Sequence, residues 1–190
     1  MTTAKKKSPC PGYCQLILVA KHRTHKWRLL TYNSFDLFIF FSNHNQNNPY
    51  KALSPDICKL CMKHGESADH LFLYCSLTMG LWHRLFQLAK MDWVPPRSIS
   101  DMMSINYKGF GLSKRGIVLW QAACIALIWV VWRERNTRIF EDKTRNSEHL
   151  WDSIHFLASL WAFCSKVFKG IPLNVLQLDW LAVCSSNGLV

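Results

Sequence analysis

Apolar positions along this chain fall into separated runs, and their spacing predicts helices. Leu77, Leu81, Leu85 and Leu88 lie on one helical face, with Trp82 and Phe86 beside them. That stripe predicts an amphipathic helix over 77–90, with Ser76 as its N-cap. Pro95-Pro96 ends the unit, because proline cannot continue a helix. A short helix is expected over 99–105, followed by a loop at Gly109 and Gly111. A long helix is expected over 113–140, apolar through 117–132 except for Gln121. Leu150, Ile154, Leu157, Trp161, Cys164 and Phe168 recur at helical spacing and predict another over 147–168. Gly170 and Pro172 stop it. The charged joint 133–145 between the two reads as solvated.

The first fifty residues lack such a period. Runs at 16–20 and 35–41 read as short strands or nonspecific apolar stretches, and 42–49 (SNHNQNNP) reads as a polar linker. The chain therefore divides into an irregular basic extension over 1–50, a Cys/His segment with its following helix over 51–90, a helical region over 91–180 and a tail over 181–190. The expected fold is mostly α: a small zinc-stabilised knuckle followed by a helical bundle or hairpin.

The stretch 117–132 invites a membrane reading. Its 16 residues fall short of the roughly 20 that a spanning helix needs. Lys114 and Arg115 before it and Arg133 and Arg135 after it give no charge asymmetry. A second helix with a matching apolar face follows closely, so a packed hairpin is expected and a membrane partner is not.

Composition supports a folded core. Of 190 residues, 49% are hydrophobic and nine are Trp, which excludes global disorder. Net charge is +11 and unevenly placed: +7 in residues 1–51, +1 in 52–90 and +3 in 91–190. A basic tail suits a polyanion through phosphate contacts, whereas the Cys/His segment is nearly neutral. Eight cysteines would fit a disulfide scaffold in a secreted chain. However, Lys5, Lys6 and Lys7 are followed by SPCPG and not by an apolar run, so no secretory leader is expected. Clustered Cys and His then favour a metal. Cys124 and Cys164 read as buried small hydrophobes inside helices, and Cys184 falls in the tail.

Cys58, Cys61, His70 and Cys75 read C-x2-C-x8-H-x4-C. The C-x2-C pair sets two thiolates on one tight turn, and a histidine and third cysteine complete a tetrahedral donor set that suits Zn2+. Cys75 precedes the helix N-terminus, where the dipole favours a thiolate. Leu71, Phe72 and Leu73 are expected to cover the site, and Asp69 to orient a ligand. His64 competes for the fourth position, although it would crowd three ligands into seven residues. Cys10 and Cys14, with His22 and His25, form a looser alternative. His83 and His155 read as ordinary core or surface histidines. Tyr74 either stacks on a nucleobase or packs over the site. No nucleophile–base pair is visible, so an enzyme is not expected.

Residues 54–82 read SPDICKLCMKHGESADHLFLYCSLTMGLW. The C-x-x-C pair, Glu66-Ser67, the run Asp69-His70-Leu71-Phe72, Cys75 and Trp82 strongly resemble the zinc-binding domain at the C-terminal end of plant LINE-type, non-LTR retrotransposon reverse transcriptases. Downstream, Trp132-Arg133-Glu134-Arg135-Asn136 and Ile139-Phe140 resemble that family's W-x-E-R-N-x-R-I-F helix. The likeness spans about 50–180. Residues 1–50 depart from the Trp- and Leu-rich stretch usual there, and neither a Y-x-D-D-like carboxylate pair nor an endonuclease constellation is present. The resemblance implies His70 as the fourth ligand, and a non-catalytic module that binds RNA or DNA in the nucleus, with the cytoplasm as alternative. Lys5, Lys6, Lys7, Lys21, Arg23, Lys26 and Arg28 would add phosphate contacts. The other reading is a protein-interaction scaffold that self-associates or docks on a reverse transcriptase.

Overall fold

A computed structural model describes residues 57–105 and 108–185. The candidate basic contacts at Lys5, Lys6, Lys7, Lys21, Arg23, Lys26 and Arg28 lie outside the described residues, as do Cys10, Cys14, His22 and His25. The described residues are mostly helical, with a Cys/His knuckle leading into the helices. Among the described residues a single antiparallel bridge, Ile57 with Gly65, closes the first turn of the knuckle.

A π-helical turn, His70–Tyr74, connects the knuckle to α1, Ser76–Leu88. The N-cap of α1 is Cys75, not Ser76: Cys75 has extended backbone while Ser76 is already helical. After Ala89 the chain leaves α1 through Lys90 at φ 55, a left-handed exit. Helix α2, Ile99–Ser104, starts where Ser98 Oγ accepts from the Asp101 N–H at 3.0 Å. Helix α3, Lys114–Phe140, starts where Ser113 Oγ accepts from the Gly116 N–H at 3.0 Å. Helix α4, Ser147–Phe163, starts where Asn146 Oδ1 accepts from the His149 N–H at 2.8 Å. Each cap satisfies an amide that helix geometry leaves unpaired.

Helix α3 is the axis of the molecule. It packs chiefly against α4 as an antiparallel hairpin and also touches α1, the π turn and the C-terminal helix. Contacts on several sides explain why α3 is apolar over most of its surface, while a stripe that runs through Ile117, Gln121, Ile125 and Arg133 is only partly buried or exposed. It is the one described helix long and apolar enough to cross a membrane, and 67% of its most apolar window is buried within the protein.

Three expectations need correction. The helix expected over 147–168 ends at Phe163; a separate 3-10 turn, Lys166–Phe168, follows, because Ser165 breaks the run and caps Val167 through its Oγ. Cys164, at the C-cap, is exposed and not buried. The tail expected over 181–190 is helical as far as Ser185: α5, Leu173–Leu178, leads into α6, Trp180–Ser185, in which Cys184 is buried. Trp180 anchors α6 on α4. Its indole N–H donates to Ser159 Oγ at 2.9 Å, and its ring stacks on His155 at 4.4 Å.

Candidate metal centre

Two short segments bring the four donors together. Cys58 and Cys61 stand on a turn in which the Met62 N–H donates to the Cys58 carbonyl and the Cys58 N–H to the His64 carbonyl, both at 2.8 Å. Met62 closes the turn at φ 54. His70 and Cys75 bracket the π turn, whose wider coil sets them five residues apart yet on one side. Leu71, Phe72 and Leu73 within it are buried.

That turn is pinned from α1. Thr78 Oγ1 donates to the Leu71 carbonyl and Trp82 Nε1 to the Phe72 carbonyl, both at 2.8 Å. These carbonyls would otherwise be buried acceptors, which costs about 1–3 kcal/mol each. The Trp seven residues after Cys75 is thus a structural member of the site.

The ligand atoms of Cys58, Cys61, His70 and Cys75 all lie within 4.8 Å of one another. Cys61 Sγ lies 3.3 Å from His70 Nε2, and Cys58 Sγ lies 4.0 Å from Cys75 Sγ. A tetrahedral zinc with bonds of about 2.0–2.3 Å would set its donors roughly 3.3–3.8 Å apart. The cluster needs only a small contraction to close around an ion, and the donors present fit one. His64 lies outside the cluster of four. It is exposed, with Nδ1 4.0 Å from Cys61 Sγ, and its ring centroid is 5.4 Å from that of His70.

Without an ion the thiols differ in acidity. Burial pushes Cys75 up to about 12, although the Leu77 and Thr78 amides at the start of α1 face its sulfur and offset part of that. Burial also raises Cys58, opposed by the Cys61 and Leu60 amides. At Cys61 burial acts in the same sense, but His64, the Lys63 and His64 amides and His70 together outweigh it and hold the thiol down at about 5. A thiolate is therefore available at Cys61 near neutral pH, and a cation would relieve the two fully buried thiols opposite.

Other expected residues take different places. Asp69 does not orient a ligand by a side-chain hydrogen bond; its Oδ1 accepts from the Ile99 N–H at 2.8 Å and ties the knuckle to the start of α2. Tyr74 is 40% exposed, and its hydroxyl donates to the Pro96 carbonyl at 2.5 Å. His83 meets the edge of Trp93, and His155 the face of Trp180.

The 133–145 joint is solvated only in part: Arg133 and residues 140–144 are exposed, as expected, but its middle is not. Glu134 is fully buried, and Arg135 and Thr137 are buried beside it. Arg135 grips Glu66 Oε1 of the knuckle through Nη2 at 2.6 Å and Nε at 3.0 Å. Arg138 donates through Nε to Glu134 Oε1 at 2.7 Å and through Nη1 to the Leu60 carbonyl at 2.9 Å. The i,i+4 spacing of Glu134 and Arg138 was a readable signal for their pairing. Nothing in sequence placed Leu60 opposite them.

No known protein-family model matches this chain, and no curated protein or solved structure is similar to it. What the structure establishes is a class: a helical domain with a Cys3His cluster that can hold a metal ion.

Proposed function

We propose that this chain is a non-catalytic zinc-binding module of the retrotransposon reverse-transcriptase type that it resembles, and that it binds RNA or DNA. The convergence of Cys58, Cys61, His70 and Cys75 carries the reading. Thiolate and imidazole donors favour zinc over magnesium or calcium. Four protein donors leave a tetrahedral ion no position for water or substrate, which argues for a structural role. The charge supports a nucleic-acid partner, with +11 overall and +7 in residues 1–51.

Metal analysis of purified protein should give about one zinc per chain, lost in Cys58→Ser and in His70→Ala. Binding to single-stranded RNA and duplex DNA should weaken steeply between about 50 and 200 mM salt and fall on chelation. Binding left unchanged by Cys58→Ser would sink its dependence on zinc. A second reading, a self-associating scaffold, draws on large apolar side chains that stay in solvent, Leu178 at 82% and Val94 at 81% exposure. Sedimentation that depends on protein concentration, with no affinity for either nucleic acid, would select it.

A further inference from the structure

We infer that Arg138 is a positioning residue for the metal centre: it holds the Cys58–Cys61 turn in its ligating shape from α3, through the carbonyls of Lys59 and Leu60. The inference rests on the metal reading above and adds to it a residue 77 positions beyond the C-x2-C pair.

The guanidinium is committed on three sides. Nε holds Glu134 Oε1 at 2.7 Å, and Nη2 reaches the Arg145 carbonyl at 3.4 Å. Nη1 donates to the Leu60 carbonyl at 2.9 Å and to the Lys59 carbonyl at 3.3 Å. Glu134, with no exposed surface, also accepts from the Arg145 N–H at 3.0 Å. A planar cation fixed in this way cannot rotate to follow the turn, so the turn must conform to it.

The two carbonyls matter because of where their peptide groups lie. The Lys59 carbonyl shares a peptide with the Leu60 N–H, and the Leu60 carbonyl with the Cys61 N–H. Both peptide groups lie in the turn between Cys58 and Cys61, the two ligands that it carries. By holding both carbonyls, Arg138 fixes the planes of the two peptides that set the spacing of Cys58, which is fully buried, and Cys61. Outer groups that orient metal ligands typically change affinity by roughly 10–100-fold when removed.

Removing Arg138 alone would leave the buried Glu134 carboxylate with only the longer ion pair to Arg145 Nη1 at 3.8 Å, so the decisive variant is Glu134→Leu/Arg138→Met, which removes both members of the closer pair together. Its control is Glu66→Gln/Arg135→Met, which breaks a second polar tie between knuckle and α3 without touching the turn carbonyls. Zinc affinity is read by competition with a colorimetric chelator, folding by helical circular dichroism, and thiolate ligation by sulfur-to-metal charge-transfer bands of the Co2+ form. Wild-type helicity with a zinc affinity roughly tenfold or more lower in the first variant than in the control is expected. Arg138→Lys, which keeps a cation beside Glu134 but loses the planar fork, should fall between wild type and the double variant and serves if the latter does not fold. Equal losses in the two double variants would reduce Arg138 to a docking contact and overturn the inference, as would unchanged affinity in folded Arg138→Lys and Glu134→Leu/Arg138→Met. Wild-type protein that takes up no zinc would instead overturn the metal reading itself.

Discussion

Trp82 has no exposed surface, yet its indole N–H reaches the carbonyl of Phe72 in the π turn. Trp82→Phe keeps most of the apolar contact and removes the donor, leaving that carbonyl buried and unpaired. It should lower stability by about 1–3 kcal/mol in denaturant titrations of the zinc-loaded protein. Among the described cysteines outside the metal cluster, solvent access decides reactivity. Cys164 is exposed, whereas Cys124 and Cys184 are buried, and burial raises both of their thiols, Cys184 to about 11. A maleimide should therefore label Cys164 in the native protein and reach Cys124 and Cys184 only after unfolding, as peptide mass spectrometry would resolve. Labelling of Cys124 at the rate of Cys164 would contradict the packing of α3.

Between elements, the contact of α4 with α6 carries a titratable group. His155 is held below its ordinary value of 6.5 by burial against Trp180; Asp152 opposes that shift and Arg84 adds to it. The unfolded chain therefore takes up the proton first as pH falls. The stabilising contribution of neutral His155 is complete above about 6.5 and diminishes as pH drops from there through the lower folded-state value. Melting temperatures measured from pH 8 to 5 should fall more for wild type than for His155→Phe; parallel curves would contradict this. The start of α3 is equally constrained. A Cβ at Gly116 would run into the backbone carbonyl of Phe110, so Gly116→Ala should destabilise by roughly 1–3 kcal/mol despite alanine's helix propensity.

Across the whole molecule, the hairpin and the knuckle depend on different forces. The hairpin core of Leu119, Ala123, Leu127, Val131, Leu150, Ile154 and Ala158 is apolar and draws nothing from a metal. Two donors of the knuckle, Cys58 and Cys75, are buried thiols, and beyond them its turn is held by its own backbone hydrogen bonds and by Arg138. Chelation should raise hydrogen exchange over 57–75 while amides in the middle of α3 and α4 stay protected. Loss of protection in both together would mean that knuckle and hairpin unfold as one unit.

Helical patterning and ligand spacing were legible in the chain because both are local: 3.6-residue repetition placed α1 and α4, a long continuous apolar run placed α3, and C-x2-C-x8-H-x4-C named the four donors. Caps and helix ends were less so, since Cys75 and Ser76 are neighbours and either can cap, and Ser165 ends a helix by a turn hydrogen bond that composition does not encode. The burial of Glu134, Arg135 and Cys184, and the exposure of Cys164, were out of reach. Charged residues at 133–145 look solvated until the knuckle arrives from some seventy positions earlier to receive them. By itself the sequence determined a helical chain with a metal-type donor set. Only the tertiary structure decided which residues support that set, because their partners are carbonyls and amides, which every residue has and no side-chain pattern reveals.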